Sequence, residues 1–134
     1  MPVSGTCLCG GVRFEVTEPF ELFVSCHCDS CKKLSGGAAT VNGRVVTDAV
    51  RILEGDDLLA SFTPPDGSAK SFCSRCGSNL FGAGWPDSAK CVVRLALLDV
   101  QPEHGPDLHV FVRSVAPWET MPEDDAPRYE TRPG

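Results

Sequence analysis

The chain has no apolar run approaching the ~18 residues needed to cross a bilayer, so a membrane-spanning helix is not its organising element. Its first residues, Met1-Pro2-Val3-Ser4-Gly5-Thr6-Cys7, have no basic stretch followed by an apolar one. The expectation is therefore a cytoplasmic protein made without a secretory leader. Positive charge is scarce: 12 Lys+Arg stand against 18 Asp+Glu, a formal net charge of −6. A field of that sign repels nucleic acid and anionic membrane, and neither is an expected partner. An anionic ligand must find a local basic patch. There is no internal repeat, low-complexity linker, Ser/His/Asp triad, Gly-rich phosphate loop or helix-borne carboxylate pair.

A hydrophobic content of 42% with 22% charged residues excludes a disordered chain. A length of 134 residues suits a single domain, expected over residues 3–130 with a frayed end at 131–134. Val12, Phe14 and Val16 alternate with Arg13 and Glu15, the period of a half-buried strand. Further short runs over 20–25, 38–46, 50–54, 58–63, 69–73, 79–82, 91–97 and 108–112 are separated by turn signals. Asp66-Gly67 reads as the turn of a hairpin joining 58–63 to 69–73. Only 29–34, and to a lesser degree 48–51, read as helical turns. The fold class is mainly β, built from short antiparallel sheets. The Pro-rich, acidic stretch from Ala116 to Tyr129 cannot form a regular helix or central strand, and it is expected to dock through Trp118 and Tyr129.

What the chain has in abundance is cysteine, 8 residues, set among 13 Gly and 11 Pro. In a reducing compartment, clustered cysteines bind metal or do chemistry more often than they form structural disulfides. Seven of them fall into three groups: Cys7-x-Cys9, Cys26-x-Cys28-x-x-Cys31, and Cys73-x-x-Cys76 followed by Gly77. Zn2+ suits such sulfur sets in tetrahedral geometry. The two pairs Cys7/Cys9 and Cys73/Cys76 can close one four-sulfur site, stapling the first strands to a hairpin far along the chain. A thioredoxin-like redox pair at Cys73/Cys76 is the rival, without the βαβ pattern that would accompany it. Cys26, Cys28 and Cys31 supply only three thiolates and leave a tetrahedral ion one ligand short, as catalytic zinc requires. The alternatives are a structural site completed by His27, His104, His109 or Cys91, or a disulfide with a spare thiol. In an extended Cys-His-Cys stretch the His27 ring points away from the metal of its neighbours, so it reads as a neighbour. Cys91 reads as a small buried hydrophobe, and His109 as a satisfied structural histidine.

The three cysteine motifs in this order, with His109 and Trp118, resemble the glutathione-dependent formaldehyde-activating enzyme family, also called the centromere protein V domain family. The resemblance covers roughly residues 3–130 and implies a tent-like β fold. It also implies a structural zinc at Cys7, Cys9, Cys73 and Cys76, and a more labile zinc at Cys26, Cys28 and Cys31, two Zn2+ per chain. The implied activity is that of a carbon–sulfur lyase joining a thiol such as glutathione to a small aldehyde such as formaldehyde, or cleaving their adduct. Lys32, Lys33, Lys70 and Arg75, the basic residues nearest the motifs, are candidates to hold the carboxylates of the thiol. A non-catalytic zinc module for a thiol metabolite or protein partner is the alternative reading.

Overall fold

The computed structural model describes residues 2–65 and 67–133. The chain forms β1 (Val3–Thr6), β2 (Arg13–Val16), β3 (Leu22–Cys26), α1 (Asp29–Ser35), β4 (Thr40–Val46), β5 (Val50–Glu54), β6 (Leu59–Phe62), β7 (Lys70–Cys73), β8 (Asn79–Gly82), β9 (Lys90–Arg94) and β10 (Leu108–Val110). Two sheets result, one of three strands in the order β1-β2-β5 and one of seven in the order β10-β3-β4-β9-β8-β7-β6. The mainly β reading holds. Val12, Phe14 and Val16, which alternate with Arg13 and Glu15, are fully buried. Phe14 of the small sheet meets Phe81 of the large one edge-on, 5.1 Å between ring centres at 79°. The core therefore lies between the sheets, where apolar burial drives their association. No helix among the described residues is long and apolar enough to cross a membrane.

Four sequence expectations need correction. The large sheet is not wholly antiparallel, because β10 runs parallel to β3, with Val110 opposite Cys26. Hairpin reasoning fixes antiparallel neighbours only between consecutive strands, and β10 arrives after a long excursion that leaves its direction free. The run over 91–97 ends as a strand at Arg94 and turns into a 3-10 segment, Leu95–Leu97. There the Gln101 side chain donates to the Leu95 and Leu98 carbonyls, 2.8 Å each. β10 stops at Val110, because Phe111 adopts a left-handed conformation, φ 58°, that no strand continues. Finally, Trp118 does not anchor the tail. It is 70% exposed, while Ala116 beside it is buried and the Glu119 side chain is only 7% exposed.

β1 was not expected, since Val-Ser-Gly-Thr shows no alternation. It is held by its ladder to β2 and by the Ser4 and Thr6 hydroxyls, which donate to the Asp99 carboxylate at 2.8 and 2.9 Å. The β6–β7 hairpin forms as expected, with Phe62 opposite Lys70. Of its Asp66-Gly67 turn, Asp66 lies outside the described residues. The tail docks by backbone pairing: His109 N–H donates to the Pro127 carbonyl, and Tyr129 N–H to the His109 carbonyl, both at 2.9 Å. This covers the free edge of β10, which would otherwise expose unpaired backbone groups. The Thr131 carbonyl still accepts from Phe111 N–H at 2.8 Å.

Candidate metal centres and a cationic cavity

The first thiol cluster joins two tight turns. Cys7 opens the turn between β1 and β2, with Gly10 N–H donating to the Cys7 carbonyl at 3.0 Å. Cys73 ends β7, and Gly77 N–H donates to the Cys73 carbonyl at 2.8 Å. Gly10 and Gly77 both have φ of +80°, so each turn closes where a side chain would be strained. The two turns are stitched by Leu8 N–H, which donates to Ser78 Oγ at 2.9 Å. The four Sγ atoms of Cys7, Cys9, Cys73 and Cys76 all lie within 4.8 Å of one another. Four sulfurs around one tetrahedral Zn2+ stand about 3.8 Å apart. The Cys7–Cys9 and Cys9–Cys73 separations are 3.6 and 3.8 Å, so the set fits the ion.

Hydrogen-bond donors surround these sulfurs. Val12 N–H donates to Cys7 Sγ at 3.2 Å and Arg75 Nε to Cys9 Sγ at 3.3 Å. The Gly11 amide and then Arg75 hold the Cys9 thiol below its usual range, and the Ser78 hydroxyl is the main cause pulling Cys76 down to about 5. Burial pushes Cys73 the other way. Donors aimed at sulfur favour the thiolates a metal requires.

The second cluster is built on a strand-to-helix junction. Cys26 ends β3, Cys28 caps α1, and Cys31 lies in its first turn, where its N–H donates to Cys28 Sγ at 3.4 Å. A helix start is an electropositive place for a thiolate. Their three Sγ atoms also lie within 4.8 Å of one another, and no fourth His, Cys, Asp or Glu ligand joins them among the described residues. The three sulfurs share their protons unequally. Contact with Cys26 and Cys31, helped by helix-start amides, pulls Cys28 down to about 2, while the same contact with Cys28 raises Cys26. A divalent ion entering here would displace the remaining protons.

His27, between two of these cysteines, faces away from them. Its Nε2 lies 3.2 Å from Ser25 Oγ and 3.3 Å from His109 Nδ1, and its Nδ1 is 3.1 Å from Glu119 Oε1. His109 Nε2 continues to Asp124 Oδ2 at 3.0 Å. Cys91, 1% exposed, packs in the core. The two histidine side chains are themselves 3% and 1% exposed. Burial is the main influence on the His27 ring and holds its pKa below the ordinary imidazole range, with the Glu119 carboxylate acting in the opposite direction. This Glu119–His27–His109–Asp124 chain is where the tail grips the sheet.

The three-cysteine cluster opens on a cavity of about 760 Å³. Among the described residues its lining includes Arg44, Lys70, Lys90, Arg94, Arg113 and Arg132, against a single acid, Asp29. Half of the chain's 12 basic residues thus border one hollow in a protein of net charge −6. Of the four basic residues expected near the motifs, Lys70 lines this cavity. Lys32 is engaged elsewhere, its Nζ donating to the Ser114 carbonyl and lying 3.3 Å from Asp29 Oδ1. Lys33 borders a smaller hollow with Leu34 and Phe62, and Arg75 serves the four-cysteine cluster. The residues that sequence reasoning missed, Arg44 and Arg94 above all, alternate with apolar neighbours on β4 and β9. That alternation was visible, but their convergence depends on the ladder placing Asn42 opposite Arg94.

The chain is a β protein with four thiols gathered in one cluster and three in another that opens on a cationic cavity, and both clusters could hold a metal ion. Residues 2–114 match the family model described as glutathione-dependent formaldehyde-activating enzyme, and the chain belongs to that family. A Halomonas elongata protein, provisionally named a glutathione-dependent formaldehyde-activating enzyme, is 35% identical over 97 residues, covering 65% of this chain and 60% of that protein. A Talaromyces marneffei protein with the same provisional name is 27% identical over 122 residues, covering 87% of this chain and 65% of that one. The chain thus spans about three fifths of the length of these curated relatives. A crystal structure of a Rhodobacter sphaeroides protein superposes with a TM-score of 0.60 at 22% identity, covering 74% of this chain and 91% of that one, a likeness of fold.

Proposed function

We propose that this protein is a zinc-dependent carbon–sulfur lyase that adds a small anionic thiol, glutathione being the family's namesake, to formaldehyde or a similar aldehyde, and that runs the reverse cleavage. The observation that carries this reading is the pairing of three clustered thiols, without a fourth ligand among the described residues, with a cavity rich in cations. Zn2+ held by Cys26, Cys28 and Cys31 would supply the Lewis acidity that lowers the pKa of an approaching thiol. The reaction is a balanced addition: the sulfur lone pair forms the C–S bond, the carbonyl π pair moves to oxygen, and the proton lost by sulfur ends on that oxygen.

The chain's own residues bind and orient. Lys70, Arg44 and Arg113 offer charge to the carboxylates of the thiol, and they raise its local concentration against the acidic exterior. Cys7, Cys9, Cys73 and Cys76 hold the second Zn2+ as a staple. The eight cysteines are all free, which suits the reducing cytoplasm.

Thiols add to formaldehyde without a catalyst, so the test must separate chemistry from carriage. A free thiol of pKa ~8.5 is starved of thiolate below neutrality. The enzyme's advantage over background should therefore widen as pH falls from about 8 towards about 6, until protons expel the metal. Exchange between free and adducted formaldehyde, followed by NMR across that range with Cys28→Ser as control, measures it. Equal rates in both proteins at every pH would reject the lyase and leave a thiol-binding module.

A further inference from the structure

Arg94 has no role in the reading above, and its setting is unusual. Its side chain sits at the end of β9, and the residue is only 7% exposed. Nε donates to Asn79 Oδ1 and Nη1 to Asn42 Oδ1, each at 2.6 Å, with Thr40 Oγ1 a further 3.4 Å contact of Nη1. None of the ion pairs among the described residues includes Arg94. A buried guanidinium is costly unless an anion compensates it, and amides from two asparagines solvate it without neutralising it.

The ladders show where the compensating charge comes from. Across β3, β4 and β9, Val24 stands opposite Asn42, which stands opposite Arg94, and Cys26 stands opposite Thr40. Residues two apart share a sheet face, so Cys26, Thr40, Asn42 and Arg94 project on the same side. That side is the cavity, whose lining includes Arg94 together with Cys26, Cys28 and Cys31. Burial is the main influence on the guanidinium and pushes its pKa down, and Cys31, Cys26 and Cys28 act in the opposite direction when ionised.

We propose that Arg94 is a positioning residue that makes the open position of the three-cysteine site selective for an anionic fourth ligand. The inference rests on the reading that Cys26, Cys28 and Cys31 hold a divalent ion with a vacancy. A divalent ion with three thiolates has net charge −1, and an incoming thiolate takes it to −2. Repulsion of that kind favours a neutral occupant such as water or imidazole, unless a fixed cation stands beside the site. Held rigidly by Asn42 and Asn79, Arg94 meets that need without reorganising on ligand entry. The outer cations, by contrast, face solvent and select the body of the ligand.

The test is made on full-length protein with zinc in the four-cysteine site and cobalt in the three-cysteine site, whose absorption reports ligand entry. Two probes are titrated at fixed pH: 2-mercaptoethanol, which enters as thiolate and carries no other charge, and imidazole, which enters neutral. In Arg94→Gln the thiolate affinity should fall at least about tenfold while imidazole changes by less than about threefold, and Arg94→Lys should keep most of the preference. Equal weakening of both probes marks a structural role and overturns the proposal, as does unchanged thiolate binding. Asn79→Ala, which keeps the charge and loosens its hold, should lower thiolate affinity about threefold with imidazole unaffected. No loss there overturns the proposal even where Arg94→Gln does not fold. A wild-type spectrum indifferent to both probes rejects the vacancy itself, and with it this inference. Loss of thiolate selectivity without any lyase rate rejects only the proposed reaction.

Discussion

The two thiol clusters are made of the same atoms and differ in what surrounds them. Cys7, Cys9, Cys73 and Cys76 come from two turns about 60 residues apart in sequence, and Cys7 and Cys73 are buried. Cys26, Cys28 and Cys31 come from one continuous segment, a strand end and the helix it leads into. A metal in the first cluster closes a long loop and joins β1–β2 to β7–β8, so its binding free energy becomes folding free energy. A metal in the second bridges residues that the backbone already places together, and adds little to the fold. Ligand number points the same way, four for a closed site and three for an open one.

The comparison is broken most severely by removing one sulfur from each cluster. Cys73→Ser should cost most of the apparent ~10–16 kcal/mol that structural zinc brings to small zinc domains, enough to leave the chain unfolded at physiological temperature by circular dichroism. Cys28→Ser should retain the wild-type spectrum and unfold within about 1–2 kcal/mol of wild type, while binding one metal fewer. Equal destabilisation by the two would make both clusters structural.

A smaller effect lies behind the second cluster. Glu119 reaches from the tail to within 3.1 Å of His27 Nδ1, and that nitrogen and both carboxylate oxygens are buried without a hydrogen bond of good geometry. Glu119→Ala should cost about 1–2 kcal/mol by removing the buried contact that docks the tail. It should also raise amide exchange over the tail more than over the four-cysteine turns.

The smallest effect is acid release at the other end of the same chain of contacts. The His109 ring, bonded to Asp124, is the main cause holding that carboxyl below the ordinary carboxylate range. A carboxylate with a depressed folded pKa stabilises the docked tail above its unfolded pKa, and that contribution disappears as pH falls through the folded value. Asp124→Asn should thus protect the tail less than wild type near neutrality. The difference should shrink as pH falls through the depressed folded pKa and vanish once the carboxyl is protonated, when followed by limited exchange at each pH.

Both cysteine groupings were legible in the sequence, because the spacing within each motif is local and counting sulfurs pairs Cys7/Cys9 with Cys73/Cys76. The strands were legible too, where alternation was clear, as at Phe14 and Val16. What escaped was everything set by long-range register. Arg94 reads on paper as the polar end of an apolar strand. Only the pairing of β4 with β9 brings it to Asn42 and onto the face of Cys26. The same holds for the tail: Trp118 is the residue an apolar reading selects, yet the buried group is Glu119, because His27 offers it a partner that no local pattern announces. The parallel β10 escaped for a related reason, since strand direction after a long connection is decided by the tail and His109, not by a turn.

The central claim is that the clusters hold metal unequally, and stepwise chelation tests it most directly. Native mass spectrometry of freshly purified protein should show two zinc ions per chain. During titration with a mild chelator the ion of the three-cysteine cluster should leave well before that of the four-cysteine cluster, and Cys28→Ser should begin at one ion and lose it only at the later step. Simultaneous loss of both ions, or early loss from Cys28→Ser, would contradict the account.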